Sequence, residues 1–176
     1  MNKDIEILKY PIGKFQIPTS ITPELVEKWI ETIEIFPHKL KAEVQNLTEN
    51  ELKKQYRPNG WTITQVVNHC ADSHMNSLIR FKLALTEETP TIKPYCENLW
   101  AELSDSKHYR VDSSIIILEG LHARWTTLLK SLHHQDLEKE FIHPETQERI
   151  SIKTNIGFYA WHCEHHLAHI INAKRN

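Results

Sequence analysis

The sequence predicts an all-α four-helix bundle, and three observations predict it. Four stretches carry apolar residues at three- and four-residue spacing. Capping residues stand where those stretches begin. Between the second and the third lies a long segment containing Pro90 and Pro94 that reads as a crossover connection. With 176 residues the chain can bury a core without disulfides. Residues 1–176 are therefore expected to form one domain, with 1–20 as an N-terminal arm.

That arm, with Pro11, Gly13 and Pro18 and no sustained period, reads as extended chain. The first helix starts at Thr22-Pro23, where Thr caps and Pro takes the first turn. Its core stripe is Leu25, Val26, Trp29, Ile30, Ile33, Phe36, Leu40, Val44 and Leu47, and Pro37 should kink or interrupt it. A short helical piece is expected within Thr48 to Tyr56. The second helix opens on a capping box, Thr62 with Gln65, and runs to about Thr86. A short helix is expected near Trp100. Asp112 or Ser113 is the expected cap of the third helix, whose stripe is Ile115, Leu118, Leu121, His122, Trp125, Leu128, Leu129 and Leu132. The turn His143-Pro144-Glu145-Thr146, between short apolar stretches, predicts a small β-hairpin. Thr154 is then read as the cap of a last helix from Asn155 to about Lys174.

Apolar residues make up 40% and charged residues 25%, with a net charge of −2. There is no excess of positive charge for a nucleic-acid backbone. The N-terminus lacks the pattern of a secretory signal, and no stretch approaches the roughly 18 apolar residues of a spanning helix. A cytoplasmic protein without membrane or nucleic-acid partners is expected. Cys70, Cys96 and Cys163 have no CxxC spacing and read as reduced thiols.

Histidine is the unusual component, with 12 in the chain, and His162, His165, His166 and His169 fall within eight residues. At about 100° per residue all four lie within one arc of about 100°. An i, i+4 pair points two imidazoles the same way, which suits two ligands of one ion. Two pairs compete, His162 with His166 and His165 with His169. The cluster is also open to a reading as surface or carbonyl-bonded histidines, but its density in an otherwise apolar helix favours a metal. The interleaved Phe158, Trp161, Leu167 and Ile170 exclude a tag. The spacing also excludes other chemistry. Cys163 follows His162, and Glu164 is about 200° away around the helix, so this is not the HExxH of zinc proteases. Only one Glu-x-x-His is found, Glu119 to His122, against the two of a di-iron bundle.

A third ligand must come from another helix, and His69 is the best candidate. His69, Asp72, Ser73, Asn76 and Arg80 form one polar stripe, which either lines a pocket or is the solvated face. His74 is about 140° from His69, so only one of the two can readily belong to the site. His122, in a core stripe, is either a ligand or a satisfied buried histidine, and the stripe favours the latter. Asp72 is the candidate to orient a ligand or accept a proton, and Asn76 and Arg80 are candidates to contact an anionic substrate.

The chain resembles the DinB-like superfamily of metal-binding bundles, and within it the YfiT group of metal-dependent hydrolases. The resemblance rests on Tyr10-Pro11-Ile12-Gly13-Lys14, Gly60-Trp61-Thr62, Val66 through Asn76, Arg80-Phe81-Lys82, Leu85 through Pro90, and Trp161-His162 through Ile170. It implies a four-helix bundle in which His69, His162 and His166 bind one divalent metal, zinc first and nickel second, in a chain that forms homodimers. Asn68 stands where family members carry a histidine before the second-helix ligand, which leaves the ligand set intact. Three neutral imidazoles leave a tetrahedral ion an open position, where a water is acidified to a pKa of about 7. The expected activity is metal-dependent hydrolysis of a small-molecule substrate. The alternative is a low-molecular-weight thiol transferase of the bacillithiol type, with the thiol deprotonated at the same position. A metal-binding protein without turnover is the third reading.

Overall fold

The computed structural model describes residues 3–107 and 110–175. Its elements are α1 (Lys3–Lys9), α2 (Pro23–Val44), α3 (Glu49–Leu52), α4 (Ile63–Thr86), α5 (Glu97–Trp100), α6 (Ser104–Lys107), α7 (Asp112–Lys130), α8 (His134–Leu137), β1 (Glu140–Ile142), β2 (Arg149–Ser151) and α9 (Ile152–Arg175). The four long helices α2, α4, α7 and α9 form the bundle. Around it the neighbours are α2, α7, α4 and α9 in turn, so consecutive long helices α2 and α4 stand diagonally.

Cross-helix contacts give the directions. Lys41 meets Glu119 and Lys130 meets Glu34, so α2 and α7 are antiparallel. Lys39 meets Glu164 and Lys174 meets Glu43, so α2 and α9 are parallel. A parallel pair cannot be joined by a tight turn. Asn68 meets Ser114 and His74 meets His122, so α4 and α7 are parallel as well, and the connection from Glu87 to Val111, with α5 and α6, supplies the length that joins them. The antiparallel β1–β2 hairpin, pairing Phe141 with Ile150, lies on the path from α7 to the diagonal, antiparallel α9. Gly157 lets α9 approach α2, since a Cβ there would sit 2.8 Å from the Trp29 ring. Trp125, Phe36, Phe81, Ile33, Leu40 and Leu118 are among the fully buried side chains of the core. Among the described residues no helix is long and apolar enough to cross a membrane.

Thr22 and Thr62 cap α2 and α4 as the sequence predicts, and the hairpin and the short helices at Glu49–Leu52 and Glu97–Trp100 are present. Four expectations are corrected. Within the arm, Lys3–Lys9 is helical, because nothing before Pro11 breaks a run of good helix formers. Pro37 does not interrupt α2, which continues to Val44. Val111, without a side-chain cap bond, precedes α7, and Asp112 stands inside the first turn, where its charge favours the helix dipole. α9 begins at Ile152 because β2 feeds directly into it, and the Ser151 hydroxyl accepts from the Thr154 amide at 3.3 Å.

Candidate metal centre

α4 and α9 pack side by side with opposite directions: Ser73 meets Tyr159, whereas His69, earlier on α4, meets His162 and His166, later on α9. His69 lies in the second turn of α4, and His162 and His166 stand one turn apart on the facing side of α9. All three are buried, and one ring nitrogen from each lies within 4.8 Å of the others. His69 Nε2 and His162 Nε2 are 3.3 Å apart. Two nitrogens on a tetrahedral zinc at about 2.0–2.1 Å are separated by about 3.3–3.4 Å, so this gap is one that two ligands of one ion could share. The donor set therefore fits a divalent metal.

Burial also sets the protonation state. It lowers the His69 imidazole to about 4, with His165 adding repulsion. Burial, and then the neighbouring histidines, hold His162 and His166 well below the ordinary value. The neutral imidazole thus favoured is the form that ligates.

The other i, i+4 pair lines the same cavity but is engaged by other partners. His169 Nε2 lies 3.1 Å from the Lys9 carbonyl, and its ring stacks on Tyr56 at 3.8 Å. His165 stacks on Trp161 at 4.4 Å. The segment after α1 covers these rings, with the Trp161 indole N–H donating to the Gly13 carbonyl at 3.0 Å. His165, His166 and His169 also bring ring nitrogens within 4.8 Å of one another, so His166 belongs to both clusters.

A cavity of about 450 Å³ opens over the three histidines, walled by Tyr10, Tyr56, Trp61 and Trp161. A second, of about 490 Å³, lies beside it and is lined by Ser73, Arg80, Tyr95, His143 and Tyr159. His162, Glu97, Asn98 and Phe158 line both. Arg80 Nε and His143 Nδ1 are buried and without a hydrogen-bond partner. The Tyr159 hydroxyl is 3.2 Å from Ser73 Oγ, which lies 3.5 Å from His162 Nε2.

Of the sequence candidates, His69, His162, His166 and Arg80 are brought to this pair of cavities. Asp72 and Asn76 line neither. Asp72 is half-buried, and burial together with Asp105 raises its carboxyl to about 6. Burial raises the Tyr95 phenol most, then the neighbouring Tyr159, with Glu97 and last Asp72 adding to it. Asn76 donates to the Asp72 carbonyl, four residues back on its own helix, at 2.8 Å. His74 and His122 are both fully buried; His74 Nε2 lies 3.0 Å from His162 Nδ1 and His74 Nδ1 lies 2.7 Å from His122 Nε2. Cys70 and Cys163 are buried, and burial raises both thiols.

The model of the DinB superfamily matches residues 32–170. The chain belongs to the DinB superfamily. Within it, a Bacillus cereus (strain G9842) relative is 53% identical over 168 residues, covering 96% of both chains. The Bacillus subtilis (strain 168) relative named "Putative metal-dependent hydrolase YfiT" is 49% identical over 168 residues, covering 96% of this chain and 94% of YfiT. The Bacillus cereus relative carries the same hydrolase description. The solved structure of YfiT superposes with a TM-score of 0.93 over 96% of this chain and 97% of that one, and it is described as having an unusual four-helix bundle topology. A mycothiol-dependent maleylpyruvate isomerase shares the fold alone, at 15% identity and a TM-score of 0.61 over 84% of this chain and 60% of the isomerase.

In this DinB chain, Glu97, His143, Tyr95 and Tyr159 are site residues the sequence did not single out. Glu97 stands exposed at the rim common to both cavities, where partial desolvation raises its carboxyl pKa. Nothing local marks it, because it reaches the site from the crossover connection rather than from a patterned helix face.

Proposed function

We propose that this chain is a metal-dependent hydrolase whose His69, His162 and His166 hold one divalent ion, zinc by preference, and whose Arg80 receives an anionic part of a small-molecule substrate. The observation that carries the reading is the 3.3 Å separation of two buried Nε2 atoms at the base of an open cavity, with a third imidazole alongside. The relatives' names support the class of activity. Three imidazoles in a tetrahedral arrangement favour zinc, which has no geometric demand of its own, over nickel, which prefers more ligands.

A divalent ion held there supplies Lewis acidity, polarising a scissile bond and acidifying a water or thiol brought beside it. The chain's own groups do the rest. Trp61, Trp161 and Phe158 wall the reacting volume with apolar surface. Glu97, between the two cavities, takes up the proton released on attack, its raised pKa bringing it closer to neutrality than a solvated glutamate. Arg80 offers a guanidinium whose Nε has no protein acceptor, and that leaves it for a carboxylate or phosphate of the substrate.

The test is metal content of the purified protein beside His162→Ala, followed by hydrolysis of an ester, amide and phosphoester panel. Near-stoichiometric zinc lost in the variant, with hydrolysis that follows the metal, is the expected result. The cobalt-loaded protein titrated with small thiols separates the transferase reading: a thiolate-to-metal charge-transfer band with no hydrolysis of any panel member would replace the hydrolase by the transferase. Metal retained without His162 would remove the centre altogether.

A further inference from the structure

Pro37 has no N–H to give to the carbonyl of Ile33, four residues back on α2. His122 Nδ1 sits 2.6 Å from that oxygen. From there a line of imidazoles leads to the candidate metal centre. His122 Nε2 lies 2.7 Å from His74 Nδ1, and His74 Nε2 lies 3.0 Å from His162 Nδ1. A second line starts from the Lys9 carbonyl at the end of α1, a helix end whose last carbonyls have no intrahelical partner. His169 Nε2 is 3.1 Å from it, and His169 Nδ1 is 3.3 Å from His166 Nδ1.

A carbonyl can only accept, so each line has a direction. Each ring is buried, and none makes an ion pair with a carboxylate among the described residues. A neutral imidazole has one N–H and one lone pair. His122 must donate from Nδ1 to Ile33, which leaves Nε2 to accept from His74 Nδ1–H; His74 Nε2 then accepts from His162 Nδ1–H. On the second line His169 donates from Nε2 to Lys9, and its Nδ1 accepts from His166 Nδ1–H. In both cases the proton ends on Nδ1 of the α9 histidine.

We infer that His74, His122 and His169 are positioning residues that hold His162 and His166 in the Nδ1–H form, so that each turns an Nε2 lone pair toward the metal before any ion arrives. The inference rests on the proposed ligand set for its consequence, while the proton positions can be read without a metal. Fixing a ligand's tautomer through its second ring nitrogen is a general feature of histidine metal sites. Here the partner is a further imidazole on each line, anchored by a backbone carbonyl that the helix leaves free. The second histidine cluster is accounted for at the same time. His169 is committed to Lys9 and His166, so it supports the centre instead of building another.

The test is long-range proton–nitrogen-15 correlation of the imidazoles in zinc-free protein. Nδ1–H at His122, His74, His162 and His166 with Nε2–H at His169 is expected, and Nε2–H at His162 or His166 overturns the inference. Zinc competition with a chromophoric chelator then compares His122→Leu, which cuts the first line, with His122→Gln, whose amide can donate to Ile33 and accept from His74. His122→Leu should weaken zinc by about 10-fold, the lower end for partners of this kind, and His122→Gln should restore most of it. Equal zinc affinity in wild type and a folded His122→Leu overturns the role of the line. If His122→Leu does not fold, the tautomers of the wild type decide. Wild-type protein with these tautomers and no zinc uptake keeps the proton arrangement and removes the ligand set instead.

Discussion

His122 occupies the place that Pro37 leaves empty: its Nδ1 approaches the Ile33 carbonyl to 2.6 Å, where an alanine at 37 would bring an amide N–H. The proline is thus a break in the hydrogen bonding of α2 that a side chain of α7 fills. Pro37→Ala returns an amide that competes for the same oxygen. A proline inside a helix costs about 3 kcal/mol, and the buried ring packing lost with it offsets about two thirds of the gain. The variant is expected to be more stable by about 1 kcal/mol and to bind zinc several-fold more weakly. Denaturant unfolding and chelator competition measure the two; weaker folding with unchanged zinc affinity would contradict this account.

Acid should unfold the zinc-free protein over a defined window. Burial holds His69 and His122 near 4, against an ordinary value of 6.5. The unfolded chain therefore binds more protons between these values. The sign follows: the stability these rings contribute is present above about pH 6.5 and is lost as pH falls toward 4. Each such ring contributes a slope of about 1.4 kcal/mol per pH unit at most. The melting midpoint of zinc-free protein is expected to drop steeply from pH 7 to pH 5, and saturating zinc should move the drop to lower pH by holding the ligands deprotonated. A flat profile over that range would contradict the buried, neutral state of the cluster.

Asp72 gives the opposite slope. Its carboxyl, raised to about 6 from 3.8 by burial and by Asp105, costs the folded state nothing below 3.8 and penalises it increasingly as pH rises from 3.8 through 6. Because the group is only half-buried, solvent screening reduces the penalty to about 1 kcal/mol. Asp72→Asn should therefore stabilise the protein by about that amount at pH 7.5 and have little effect at pH 4, with metal content unchanged. The same variant examines the sequence-based role of Asp72 in catalysis, since a lost turnover with intact metal would return it to the site through Tyr95.

The bundle was legible because its helices are long, capped and amphipathic, so that Thr22, Thr62 and the stripes of α2, α4 and α7 each pointed to the same element. The site was legible in direction but not in partnership. Helical angles place His162, His165, His166 and His169 on one side of α9, yet which pair meets His69 depends on where α4 lies around that helix, a tertiary fact. Angles likewise put His74 about 140° from His69. That separation keeps it off the candidate ion and aims it instead at the back of His162, 3.0 Å away. Asn76 illustrates the limit from the other side: it shares the polar stripe of Arg80 and spends its amide on its own helix. Glu97 could not be found by pattern at all, because it arrives on a connection whose path follows from the α4-to-α7 crossover.

Arg80 supplies a prediction that needs no knowledge of the substrate. Its Nε is buried without an acceptor, and no carboxylate of the described residues pairs with it within ion-pair distance. A buried polar atom left unsatisfied costs about 1–3 kcal/mol, a cost that persists in a fold when the group serves something outside it. Arg80→Met keeps the aliphatic stem and removes that cost, so the variant should melt higher, by about 1 kcal/mol of stability, with zinc content unaltered. Small carboxylates or phosphate that protect the wild type against thermal unfolding should fail to protect Arg80→Met. Arg80→Lys should not restore protection, because a point charge lacks the planar fork that grips two oxygens. A variant less stable than the wild type would mean that the guanidinium is satisfied within the fold, and the anionic end of the substrate would have to be sought at His143 instead.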